Sequence, residues 1–261
     1  MQDFVAGCCQ LNVIPGDIQQ NMKQAEYWVS TMAQAGCHLL VLPEMWSSSF
    51  SFLRLDEVAG ATPMVLEYLR AWSRQYQMVL VGSLPEKEEG SIFNVSYVID
   101  DGVLAGSYRK IHLFSYNREH EYFEAGKVPV VCETRVGRLG IMICYDLRFP
   151  ELARRLALDG AEILCVSAQW PVERLDHWSL LLRSRALENQ MFVLGCNGCG
   201  AEDNLHYGGA SALVSPTGSV LAEGGSEETG IRATLDPASM LAFRGQIPCF
   251  ADRRSSAYGA F

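Results

Sequence analysis

Six short apolar runs alternate with longer stretches of helical period, and this alternation constrains the fold more than any other feature of the chain. The runs are FVAGCCQLNV (4–13), HLLVLP (38–43), MVLVGS (78–83), RLGIMIC (138–144), and the apolar segments 161–167 and 191–196. Each is short for a helix and too apolar for a surface loop, so each reads as a buried strand. Over residues 17–35 the period changes. Ile18, Met22, Ala25, Val29 and Met32 recur at spacings of four and three, with Asp17 placed as an N-cap and Gly36 as a stop. TPMVLEYLRAWSRQY (62–76) predicts a second helix with Thr62 as its cap and Pro63 in its first turn. Helices are expected at 150–159 and 175–189, the latter with Leu175, Trp178, Leu182 and Ala186 on one face.

SIFNVSYVID and VLAGSYRK flank Asp101-Gly102, a hairpin turn signal. SALVSP, SVLAEG and IRATLD read as further short strands, and a C-terminal extension runs from about 243 to 261. Strands and helices alternating in this way predict an α/β chain, and hairpins together with crossovers predict mixed sheets. No repeat, low-complexity tract or linker interrupts the 261 residues, so 1–261 reads as a single domain.

Apolar residues make up 49% of the chain and charged residues 20%, the balance of a soluble globular protein. The formal charge of −9 argues against nucleic-acid or anionic-membrane partners. No basic leader and no span-length apolar run is visible, so a cytoplasmic setting is expected. The nine cysteines sit mostly inside apolar runs, which suits free buried thiols rather than disulfides. Cys196 and Cys199 form a Cys-x-x-Cys pair, but His206 is the one histidine nearby and no second cysteine pair exists. A zinc site would be short of ligands, so no metal is expected.

Three residues stand where chemistry is commonly placed. Glu44 follows an apolar strand at once, in LLVLPEMW, and is either a solvated loop carboxylate or a group at the lip of a sheet. Lys110, in YRKIHLF, is either a surface cation or one facing a cleft. Cys144 closes a strand in GIMICYDLRFPE and is either an inert core thiol or a nucleophile. Taken together and in this order, the three motifs resemble the nitrilase, or carbon–nitrogen hydrolase, superfamily. The segments 176–197, Tyr207 to Gly218 and 244–258 look like its omega-amidase branch.

The resemblance implies an α-β-β-α four-layer sandwich with two mixed sheets, and a homodimer to which helix 175–189 and the C-terminal extension contribute. It implies a Glu–Lys–Cys triad of Glu44, Lys110 and Cys144, with Cys144 forming a thioester and Lys110 and the Tyr145 backbone N–H holding the oxyanion. A second glutamate belongs between the Lys and Cys motifs; Glu119 fits, with Glu121 and Glu124 as neighbours. The implied reaction releases ammonia from the terminal amide of a short substrate that keeps a free carboxylate, of the 2-oxoglutaramate or 2-oxosuccinamate type, and needs no cofactor. Arg148, four residues after the nucleophile, is either the cation for that carboxylate or a structural partner of Glu151. Arg183 and Arg185 are further candidates, and Trp170, Phe114 and Tyr116 are candidate walls of the pocket. N-carbamoyl amino acid or aliphatic amide hydrolysis, and a catalytically idle partner-binding role, are the alternative functions.

Overall fold

The computed structural model describes residues 2–202 and 205–257. Its first half contains β1 (Phe4–Gln10), α1 (Ile18–Gln34), β2 (Cys37–Val41), α2 (Leu55–Tyr76), β3 (Val79–Glu88), β4 (Ser91–Asp100) and β5 (Val103–Arg109). After a long connection come β6 (Val131–Thr134), β7 (Gly137–Ile143), α3 (Pro150–Leu158), β8 (Ile163–Ala168), α4 (Leu175–Asn189) and β9 (Phe192–Asn197). The last elements are β10 (Cys199–Glu202), β11 (Leu205–Gly208), β12 (Ala212–Val214), β13 (Val220–Glu223), β14 (Thr229–Leu235) and α5 (Pro237–Gln246).

The strands form two six-stranded sheets, ordered β14-β1-β2-β3-β4-β5 and β13-β12-β9-β8-β7-β6, and β10 pairs with β11 in a separate hairpin. Both large sheets are mixed. β1, β2 and β3 are parallel, as are β7, β8 and β9, and the outer strands join antiparallel. One core fills the space between the sheets, where Cys8, Val41 and Val81 meet Ile141 and Cys165, and continues under α3 and α4. A second core, with Met22, Val29, Leu40, Leu69 and Leu80, lies beneath α1 and α2. The order of layers is therefore helix, sheet, sheet, helix. The central strands are buried on both faces, which is why they read as continuous apolar runs rather than alternating ones.

Local chemistry explains most boundaries. The Asp17 side chain accepts from the Gln20 N–H at 3.0 Å, and the apolar stripe of α1 is buried as its spacing requires. Asp101 and Gly102 both have positive φ, +52° and +74°, as a two-residue hairpin turn with right-handed strand twist demands. Two expected boundaries differ. α2 begins at Leu55, not at Thr62, and runs through Pro63. Asp56 and Glu57 occupy the first turn, where the helix dipole favours them, and the Thr62 hydroxyl donates to the Pro85 carbonyl instead of capping. The C-terminal extension expected from about 243 starts inside α5, which the Asp236 side chain caps through the Ala238 and Ser239 N–H groups. The short strand β6 and the β10–β11 hairpin lack the apolar run of a central strand and were not expected. Among the described residues, no helix is long and apolar enough to cross a membrane.

Candidate active site

Strand direction decides where the chemistry gathers. β2 and β3 are parallel, β4 reverses, and β5 reverses again, so β2 and β5 end at the same edge of their sheet. Glu44 follows β2 and Lys110 follows β5. Across the stack, Cys144 follows β7 and Gln169 follows the parallel strand β8. The Glu44 N–H donates to the Ala168 carbonyl at 3.3 Å and joins the two sheets at this edge.

Glu44, Lys110 and Glu119 are all buried. The Lys110 ammonium lies 2.7 Å from Glu44 Oε1 and 3.0 and 2.9 Å from the two Glu119 oxygens. Burial disfavours the ammonium, but Glu119 and Glu44 outweigh it and lift its pKa well above the usual lysine value. Burial likewise lifts the Glu44 carboxyl above the ordinary glutamate value, against the pull of Lys110. Of the three neighbouring glutamates, Glu119 is the one that contacts Lys110. Its neighbour Glu121 pairs with Arg118 at the surface, and Glu124 is exposed. Glu119 sits in a 3-10 turn and also accepts the Phe114 N–H at 3.1 Å, which ties the loop after Lys110 to the lysine itself.

Cys144 has φ of +46°, in the left-handed region that a side chain with a Cβ seldom adopts. Such a residue costs on the order of 1–3 kcal/mol of local strain. It stands between β7 and a 3-10 turn over Cys144–Arg148, so the thiol leaves the sheet edge and reaches the pocket floor. Burial and Glu44 raise the thiol's pKa well above the usual cysteine value, while Lys110 lowers it. These directions favour the neutral thiol over the thiolate, with Glu44 beside it.

Two side chains that sequence reasoning missed hold Glu44. Asn94 Nδ2 donates to Glu44 Oε1 at 2.8 Å, while the Asn94 carbonyl accepts the Lys110 N–H at 2.9 Å. Gln169 donates its backbone N–H to Glu44 Oε2 at 3.1 Å and its side-chain amide to the Glu44 carbonyl at 2.9 Å. Asn94 had a visible signal: a buried amide inside the apolar run SIFNVSYVID.

The cavity above these groups holds about 310 Å³. Phe114, Tyr116, Tyr145, Arg148 and Trp170 line it, together with Glu119 and Cys144. The Arg148 guanidinium lies 4.7 Å from the Trp170 ring and Nη2 lies 3.3 Å from His177 Nδ1; no ion pair with Glu151 forms. Arg174, which drew no attention in the sequence, also lines the cavity, over the rings of Phe114 and Tyr116. Arg183 and Arg185 do not. Arg183 donates to the Gly218 carbonyl, and buried Arg185 donates to the Leu147 carbonyl and pairs with Glu188. Both are excluded as ligands of a substrate in this cavity. The Cys196 thiol donates to the Cys9 carbonyl, and burial pushes the Cys199 thiol up to about 12. Among the described residues, no three His, Cys, Asp or Glu side chains are grouped to hold a metal ion.

A thiol on the floor of a pocket and, buried behind it, a carboxylate of raised pKa and a fixed ammonium are the parts of an acyl-transfer site. The chain matches the carbon-nitrogen hydrolase family model over residues 5–244 and belongs to that family of hydrolases. Among curated relatives, it is 36% identical to a 2-oxoglutaramate amidase of Bacillus subtilis, over 98% of this chain and 99% of that one. It is 33% identical to an omega-amidase of Escherichia coli, over 83% and 84% of the two chains. Among solved structures, a nitrilase-superfamily member from Saccharomyces cerevisiae superposes with a TM-score of 0.89 at 31% identity, covering 97% of both chains. An amidase from Nesterenkonia, TM-score 0.87 at 26% identity over 98% of this chain and 95% of that one, was solved with the acetamide moiety of fluoroacetamide added at its active site cysteine.

Proposed function

We propose that the protein hydrolyses the terminal amide of a short ω-amide that bears a free carboxylate, of the 2-oxoglutaramate or 2-oxosuccinamate type, and releases ammonia. The observation that carries this reading is the buried Lys110 ammonium held between Glu44 and Glu119 at the base of the cavity that Cys144 enters. The names of the relatives over most of both chains support the substrate class.

In this reading the Cys144 sulfur attacks the amide carbon while Glu44 takes the thiol proton. The carbonyl oxygen becomes an oxyanion, held by the Lys110 ammonium and by the backbone N–H of Tyr145. Tyr145 lies in the first turn of its 3-10 segment, where the turn itself supplies no acceptor for that N–H. The tetrahedral adduct collapses, the C–N bond breaks, and Glu44 returns the proton to the leaving nitrogen, so ammonia departs and a thioester remains. A water molecule, deprotonated by Glu44, then adds to the thioester carbon. Collapse of that second adduct breaks the C–S bond, frees the carboxylic acid and returns the proton to Cys144. Glu119 keeps Lys110 charged and oriented throughout.

For the substrate carboxylate, Arg148 and Arg174 are the two arginines that line the cavity, and neither forms an ion pair among the described residues. Trp170, Phe114 and Tyr116 wall the apolar stem, with Tyr116 largely exposed at the mouth. The direct test is Cys144→Ala. It is expected to fold as the native protein does and to release no ammonia from 2-oxosuccinamate; native-level release would remove the thioester route. We also propose a homodimer. α4 leaves Leu180 and Leu187 exposed two turns apart, and α5 leaves Leu241 exposed.

A further inference from the structure

The reaction proposed above requires Lys110 and Cys144 at a fixed separation, yet they belong to different sheets. Lys110 follows β5 at the edge of the first sheet and Cys144 follows β7 in the second. The two sheets are packed face to face by apolar side chains, and apolar packing is not directional. The hydrogen bonds of Ala168 and Gln169 tie Glu44 across the sheets, and a separate directional link ties the lysine's loop to the nucleophile's turn. Asp146 is fully buried two residues after Cys144, and its carboxylate is surrounded by four donors. Oδ2 accepts the Ile143 N–H at 3.0 Å and the Tyr108 hydroxyl at 2.8 Å. Oδ1 accepts the His112 N–H at 3.0 Å and lies 2.8 Å from His112 Nδ1. Tyr108 also accepts the Ile111 N–H at 3.2 Å, and the His112 ring stacks on Phe149 with centroids 3.6 Å apart.

One of these donors precedes the nucleophile's turn and three flank the lysine. Residues 108, 111 and 112 bracket Lys110, and residue 143 precedes Cys144. We infer that Asp146 is a positioning residue that fixes the register of the oxyanion-holding Lys110 loop against the Cys144 turn across the two sheets. The inference rests on the Glu–Lys–Cys reading of the site. Each carboxylate oxygen already accepts twice, which uses the acceptor capacity of the group. Asp146 therefore has no free lone pair to exchange a proton with substrate, and its part is geometric.

An amide cannot replace this carboxylate. Whichever way an asparagine turns, its NH₂ faces a backbone N–H, either that of Ile143 or that of His112, and the two loops must separate. Displacement of a catalytic group by about 1 Å costs on the order of 10²-fold in rate. Asp146→Asn is therefore expected to lower kcat by about 10²-fold while KM stays within about threefold, because the cavity walls Phe114, Tyr116, Trp170 and Arg174 lie outside the link. Tyr108→Phe removes one of the four donors and is expected to lower kcat by about tenfold, again with little change in KM.

The experiment is a double-mutant cycle on ammonia release with Lys110→Ala, alongside thermal unfolding of each variant. If Asp146 acts through the lysine's position, the Asp146→Asn loss shrinks at least tenfold once Lys110 is absent. Additive losses, a KM that rises in step with the fall in kcat, or a kcat within threefold of native would overturn the inference. Should Asp146→Asn fail to fold, Tyr108→Phe decides: unchanged kcat contradicts the link and a fall in kcat alone supports it. Cys144→Ala separates the two levels, since turnover in that variant defeats the catalytic reading itself, and inactivity there with native kcat in Asp146→Asn defeats only the positioning role.

Discussion

At the scale of single residues, the site is an exercise in holding charge without water. A buried lysine between two carboxylates stays protonated because the two carboxylates offset its desolvation, whereas burial holds Glu44 above the ordinary glutamate range. The consequence for pH follows from the direction of that shift. Glu44 must be ionised to accept the thiol proton, and its raised pKa means that it protonates at a higher pH than an exposed glutamate. As pH falls, kcat/KM should therefore decline above the ordinary glutamate pKa of about 4.3. A pH–rate profile flat down to that value would contradict the assignment. Lys110→Ala should lose roughly 10²-fold or more in kcat, the scale of deleting one oxyanion donor. Lys110→Arg should not restore it, since a planar fork cannot put a compact ammonium 2.7 Å from Glu44 Oε1 and against both Glu119 oxygens. Near-native turnover in the arginine variant would show that generic charge suffices.

At the scale of elements, the chemistry is placed by strand ends. The central strands of both sheets were legible in the sequence because burial on two faces leaves an uninterrupted apolar run, whereas Glu44 and Cys144, at the ends of such runs, stood out from a loop carboxylate and a core thiol only through the three motifs taken together. Helix 175–189 was legible from the stripe that places Trp178, Leu182 and Ala186 in the core. What was not legible depends on partners remote in sequence. Gln169 matters because β8 runs parallel to β7, and Arg174 because a short 3-10 turn after Pro171 aims it over Phe114 and Tyr116. The start of α2 was obscured by Pro63, read as a first-turn residue although it lies mid-helix. Arg183 and Arg185 were weaker candidates than Arg148 in the sequence, and the backbone carbonyls of Gly218 and Leu147 take them. The outward face of α4 carries its own test. Leu180→Asp with Leu187→Asp should shift sedimentation from dimer to monomer; a native protein that sediments as a monomer would remove the proposed pairing.

At the scale of the whole molecule, two sheets stacked face to face bring Glu44, Lys110 and Cys144 together at one end of the stack, beneath a cavity of about 310 Å³. That volume suits a small substrate, and its two arginines suit an anionic one. Charge-assisted hydrogen bonds contribute about 1.5–3 kcal/mol each. A bidentate pair lost on replacing a carboxylate by a methyl group should therefore cost about two to four decades in kcat/KM. The acidic surface, −9 overall, does not steer anions toward the protein, so the preference must come from the cavity. The most direct measurement is kcat/KM for ammonia release from succinamate against butyramide on the native enzyme. The account predicts that succinamate is favoured by about two decades or more; equal rates, or a preference for butyramide, would contradict it and point to a neutral aliphatic amide as the substrate.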